Sequence, residues 1–146
     1  MQNPDQALIH RFSLDAAPVA IDTNPFAQAL RAQLLRVNRE AGLVELSFEP
    51  DGSFLQGLGM IQGGIVCAML DFAMAFAVMA RLPAGEAATT VNINVSYLRA
   101  VRRSVVQATG SLDRLGKNMA FARAHLAASD GTLLATATST LAVLRP

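Results

Sequence analysis

From Ile61 to Ala80 the chain runs through twenty residues that carry a single charge, Asp71. A helix made from this run is apolar all round and must be covered on every side, a demand that constrains the fold more than any other stretch. Its length also meets the roughly 20 residues of a bilayer span. Three features argue against a span. Asp71 lies near the middle, where insertion costs about 2.5–3.5 kcal/mol; Gly63 and Gly64 sit at one end; and no cluster of Lys and Arg flanks either side. The run reads as the central helix of a folded domain, closed by Leu82-Pro83-Ala84-Gly85.

The rest of the sequence says what covers that helix. Residues 1–23 alternate weakly and are expected to form a loosely packed leader, with 24–146 as one domain. Asn24-Pro25-Phe26 predicts a short helix capped by Asn24, with Ala27, Leu30 and Leu34 at helical spacing. A period near two then predicts strands over 33–39 and 43–49, joined by Glu40-Ala41-Gly42 and followed by a glycine-punctuated loop from Ser53 to Gly59. Beyond the long helix, strands are predicted over 89–98, 104–112, 119–128 and 132–144. In the first of these, Val91, Ile93, Val95 and Tyr97 alternate against Asn92, Asn94 and Ser96. Turns at Arg114-Leu115-Gly116-Lys117 and Ser129-Asp130-Gly131 make these strands an antiparallel meander. The expected class is α+β, a long central helix wrapped by a curved antiparallel sheet.

Composition narrows the partners. With 52% hydrophobic and 16% charged residues, the chain is more apolar than an average soluble domain, so surface is expected to be buried between subunits of a dimer or tetramer. A net charge of +1 without a basic block or a basic and aromatic stripe argues against nucleic acid as a partner. The one cysteine, Cys67, cannot form an intramolecular disulfide, and the N-terminal stretch has no basic segment leading into a long apolar one. A cytoplasmic location is therefore expected. His10 and His125 lack ligand spacing, so no metal is expected, and the sequence holds no Gly-x-Ser-x-Gly elbow, P-loop or dinucleotide fingerprint.

The chemistry concentrates on the long helix. At its start Gly63 and Gly64 leave the backbone open, and the first N–H groups of a helix have no intrahelical acceptor, so they can polarise a carbonyl oxygen. Gln62 can add a side-chain donor. Asp71 is the only acid on the helix, and an unpaired buried carboxylate is costly enough to suggest a chemical role. Eight helical residues rise about 12 Å, too far for Asp71 to reach a carbonyl carbon held at Gly63 of the same chain. Antiparallel helices from two protomers would bring Gly63 of one to face Asp71 of the other.

From about Asn24 to the end the chain resembles the hotdog-fold acyl-CoA thioesterases of the phenylacetate-degradation type. In these a His-Gly-Gly turn opens the central helix, a carboxylate follows seven residues after the second glycine, and the two act from opposite subunits. Gly64 and Asp71 keep that spacing, Asn94-Val95-Ser96-Tyr97-Leu98-Arg99-Ala100 looks like the family's strand after the helix, and Gly116-Lys117 fits the next hairpin. Gln62 departs from the usual His, and Gln56 stands where many relatives have Asn. The resemblance implies that Asp71 is general base or nucleophile, Gly63 the oxyanion donor, and Thr90 a hydroxyl that places water, with Gln56 orienting water or the thioester. It implies coenzyme A as the leaving group and no separate cofactor. Gly64 and Asn94 would contact substrate, and Arg99, Arg102, Arg103, Arg114 and Lys117 could meet the CoA phosphates. With backbone donors and a carboxylate in place, activity is expected to survive Gln62. Two alternatives are an acyl-CoA-binding protein that turns over poorly and an enoyl-CoA hydratase; the Asp and His pairing of a hydration loop is not seen.

Overall fold

The computed structural model describes residues 3–13 and 15–145. Its elements are α1 (Pro4–Arg11), β1 (Val19–Ala20), α2 (Pro25–Ala29), β2 (Gln33–Asn38), β3 (Leu43–Phe48), a 3-10 turn (Gly52–Phe54), α3 (Gly63–Arg81), β4 (Ala87–Tyr97), β5 (Val106–Leu115), β6 (Met119–Ala128) and β7 (Leu133–Leu144). The strands form a single sheet in the order β1-β2-β3-β5-β6-β7-β4, with every neighbouring pair antiparallel. The sheet packs against α3 through β3, β4, β5, β6 and β7. This is the expected α+β hotdog arrangement.

The apolar run is buried as its composition requires. Val66, Met69, Leu70, Ala73, Met74, Phe76 and Ala77 of α3 are all buried. The sheet meets them with small buried residues, Ala108, Gly110, Ala122, Ala124, Ala135 and Ala137, so helix and sheet can approach closely. The tightest point is Gly110 on β5, where a Cβ would fall 2.1 Å from the Ala73 carbonyl oxygen. Gly42, in the β2–β3 hairpin, has φ 63°, and a Cβ there would sit 2.8 Å from Leu112 Cβ. Both the turn and the packing select glycine at that position.

The N-terminal stretch departs from the loose leader expected of it. Asn3 caps α1 by accepting from the Asp5 N–H at 2.9 Å, Ile9 is fully buried, and Gln6 is 1% exposed. The Gln6 amide donates to the Pro83 carbonyl at 2.9 Å and accepts from the Gly85 N–H at 3.1 Å, so α1 secures the segment that leaves α3. Paired polar groups allow this burial, and weak apolar alternation does not report it. The short helix forms as expected, with Asn24 accepting from the Ala27 N–H at 2.8 Å, but Arg31 at φ 48° follows it and Leu34 belongs to β2.

Two further differences lie in β4. The meander is β5-β6-β7 alone, and β4 lies beyond β7 at the sheet edge. The connection from Tyr97 to Val106 contains no tight hairpin, whereas the two turns read from sequence join β5 to β6 and β6 to β7. The alternation of β4 is also broken by a bulge between Thr90 and Asn92. Ile93 and Val95 pack on the core as expected, but Val91 is turned out and is 57% exposed. The extra residue puts Thr90 on the helix side, a common use of bulges beside functional sites.

Candidate active site

Helix α3 presents two chemical centres on one face. Its first is the glycine start. Gln62 occupies the cap position without a side-chain cap bond, and its carbonyl accepts from Ile65 N–H at 2.9 Å and Val66 N–H at 3.2 Å. Among the described residues the N–H groups of Gly63 and Gly64 have no acceptor, the state expected at a helix start. Gly64 is exposed, and a Cβ there would meet nothing within 4 Å. Backbone donors and the positive end of a nineteen-residue helix are thus open to a ligand oxygen.

The second centre is Asp71, half-buried, which accepts from the Thr90 hydroxyl at 2.7 Å. Thr90 reaches it because of the β4 bulge. A donor in this place holds the carboxylate in one orientation. Between the centres, four residues after Gly63 and four before Asp71, lies Cys67. Burial, and then the Asp71 carboxylate, push its thiol up from the ordinary value.

Sequence reasoning assigned no role to Tyr97, which closes the other end of the site. Its hydroxyl donates to the Gly63 carbonyl at 2.9 Å, and burial, then Cys67, push the phenol up, so it stays protonated as a donor. Strand β4 therefore contacts α3 at both centres, through Thr90 and Tyr97. The position of Tyr97 on the face of Ile93 and Val95 was the available signal.

The glutamines share a cavity of about 410 Å³ with Phe54, Leu55 and Ile65. Gln56 accepts from the Leu58 N–H in its own turn, which leaves its amide NH₂ to donate. Next to Asp71, the Phe72 ring stacks on Phe76 with centroids 4.3 Å apart and meets Phe48 edge-on at 5.9 Å, an apolar wall from α3 and β3.

The cations divide by position. Arg99 lines a depression of about 240 Å³ with Gly63 and Tyr97. Arg102 and Arg103 follow on the same loop, which is tied to the approach to α3 by the Ile61 N–H donating to the Val101 carbonyl at 2.8 Å. Arg114 and Lys117 sit at the opposite end of β5, where Leu112 approaches Arg81 and Gly42 near the end of α3. The structure does not bring them to Gly63 of the same chain. Nor does it bring Asn94, which opens on the outer face of the sheet into a cavity of about 380 Å³ beside Arg123 and His125. Among the described residues no group of three or more His, Cys, Asp or Glu could hold a metal ion.

A long helix inside a curled antiparallel sheet, with donors at its glycine start and a carboxylate about two turns on, defines a hotdog-fold thioesterase. The comparisons with known proteins agree. The thioesterase superfamily profile matches residues 58–135. A phenylacetic acid degradation-related protein from Ralstonia eutropha JMP134 is 30% identical over 96% of this chain and 99% of its own, with a TM-score of 0.80. A thioesterase family protein from Silicibacter pomeroyi is 27% identical, covering 84% of this chain and 91% of that one, with a TM-score of 0.78. A Bacillus halodurans protein solved with CoA is 27% identical over 70% of this chain and 68% of its own, with a TM-score of 0.67. No match was found among curated proteins. The chain belongs to the thioesterase superfamily, as a hotdog-fold thioester hydrolase of the phenylacetate-degradation type.

Proposed function

We propose that the protein hydrolyses an acyl-CoA thioester to the free acid and CoA at a site shared between two subunits. The observation that carries this reading is the separation of two incomplete centres on one helix. Among the described residues the N–H groups of Gly63 and Gly64 are unpaired, and the Thr90-held Asp71 lies about 12 Å further along. The free edge of β4 supports the pairing of subunits, since β4 is eleven residues long and no strand covers its outer side among the described residues. Such an edge is a ready template for a second copy. The CoA found with the Bacillus halodurans relative supports CoA as the thiol.

In this reading the thioester oxygen sits at the glycine start of one subunit, near Asp71 of the partner subunit. As general base, Asp71 takes a proton from water while the oxygen attacks the thioester carbon. The tetrahedral oxyanion is held by the backbone N–H groups, the C–S bond breaks, and the proton passes to the leaving thiolate. As nucleophile, Asp71 would instead form an anhydride that water then opens. Thr90 orients Asp71 either way, and no cofactor enters. Gln62 has no proton to exchange near neutral pH, and neither route needs one from it. Arg99, Arg102 and Arg103, on the loop beside the glycine start, are the cations best placed for the CoA phosphates.

The test is CoA release from acetyl-, hexanoyl- and benzoyl-CoA. Asp71→Asn should lower kcat about 10²–10⁴-fold, the range of acid–base contributions. Co-expressed Asp71→Asn and Gly63→Val chains should regain activity in the mixed dimer, since one site then has both intact centres. An unimpaired Asp71→Asn enzyme would refute the mechanism. Inactive mixed dimers would refute the shared site.

A further inference from the structure

Tyr97 acts on the one peptide group that links the two glycines. Its hydroxyl donates to the Gly63 carbonyl oxygen at 2.9 Å, and its ring would lie 3.6 Å from a Cβ at Gly63. That oxygen shares a peptide unit with the Gly64 N–H, which has no acceptor among the described residues. A hydrogen bond donated to an amide oxygen draws electron density from the nitrogen, so the N–H at the other end becomes a stronger donor. The strand end that carries Tyr97 is well anchored. Tyr97 pairs with Ala135, and the N–H groups of Leu98 and Arg99 both donate to the Leu134 carbonyl, at 2.9 and 3.0 Å.

We infer that Tyr97 is a positioning residue for thioester hydrolysis, fixing and polarising the Gly63–Gly64 peptide so that the Gly64 N–H binds the developing oxyanion more strongly. The inference rests on the reading that the helix start receives the thioester oxygen. A purely structural bond would gain little here. The Gly63 carbonyl already belongs to the ladder of α3, and Tyr97 is 54% exposed, so its hydroxyl could bond to water instead.

Tyr97→Phe keeps the ring and removes the hydroxyl. The kcat for hexanoyl-CoA and benzoyl-CoA should fall about three- to tenfold with KM nearly constant, because the strengthened donor acts on charge that develops in the transition state. The loss should stay well below the roughly 100-fold that follows removal of an oxyanion donor itself. A second measurement reads the donor directly. The infrared carbonyl band of ¹³C=O hexanoyl-CoA bound to Asp71→Asn should move to higher wavenumber when Tyr97→Phe is added. Unchanged kcat, a loss carried by KM alone, or an unmoved carbonyl band would overturn the inference. If Asp71→Asn loses activity while Tyr97→Phe is silent, only this inference falls. A bound carbonyl with the same band as free hexanoyl-CoA removes the helix-start reading and the inference with it.

Discussion

Replacing Gly110 by Ala adds one methyl group where the sheet and α3 touch. The added carbon would lie 2.1 Å from the Ala73 oxygen, 2.5 Å from the Ala73 carbonyl carbon and 3.1 Å from the Met74 nitrogen. All three are backbone atoms of a nineteen-residue helix, so no side chain can turn aside. Ordinary van der Waals spacing would return only if α3 retreated by about 1 Å. Gly110 pairs with Val44 on one side and Ala124 on the other, so β5 cannot withdraw alone. Overpacking of this kind costs typically 1–3 kcal/mol, and backbone on both sides places Gly110→Ala near the upper end, at about 3 kcal/mol. For a chain of this size that corresponds to roughly 6–12 °C in Tm. The same shift carries Asp71, two residues before Ala73, away from Thr90. A misplacement of about 1 Å can cost roughly 10²-fold in rate. Circular dichroism melts and CoA-release kinetics on Gly110→Ala test both effects. Gly64→Ala is the stability control, because its added carbon meets nothing within 4 Å and alanine favours the helix. A Gly110→Ala protein with the parental Tm and kcat would refute the argument that close backbone approach sets the position of α3.

Removing the Thr90 donor should loosen Asp71 without unfolding the chain. Thr90→Val is expected to lower kcat roughly tenfold, the scale of a partly exposed hydrogen bond to a charged group, while Thr90→Ser retains most activity; equal rates for the valine and serine variants would sink that role. Cys67 offers a pH test. Its thiol is pushed up by burial and by Asp71, so less thiolate is present at neutral pH and iodoacetamide should react slowly there, faster as the pH rises. Asp71→Asn removes the second cause and should speed alkylation at any given pH below the thiol pKa; an unchanged rate would show that no Asp71 charge acts on Cys67.

The features legible in the sequence were those fixed by local pattern. The apolar run read as a covered helix, and the eight-residue Gly63–Asp71 spacing set the two groups about 12 Å apart along it. Asn24 and the turns at Arg114–Lys117 and Ser129–Gly131 carried their own capping and turn chemistry. The misread features depend on partners distant in sequence. Gln6 is polar and its burial follows from carbonyls near residue 83, which no period reveals. Val91 fits the alternation of β4 but lies exposed, because the register against β7 slips beside Thr90. The close approach at Gly110 leaves no mark in the local pattern, because it depends on the helix backbone packed behind the strand.

The β4 bulge also bears on how the site is built. Without it, strict alternation would place Thr90 on the opposite face from Ile93, Val95 and Tyr97. With it, one strand supplies both the hydroxyl on Asp71 and the hydroxyl on Gly63, and that same strand is an edge of the sheet, uncovered among the described residues. Pairing of this edge with a second copy would then set the separation of the two helices and the placement of both hydroxyls together. Substitutions that alter β4 pairing should therefore reduce kcat even where they leave every side chain of Asp71, Thr90 and Tyr97 intact.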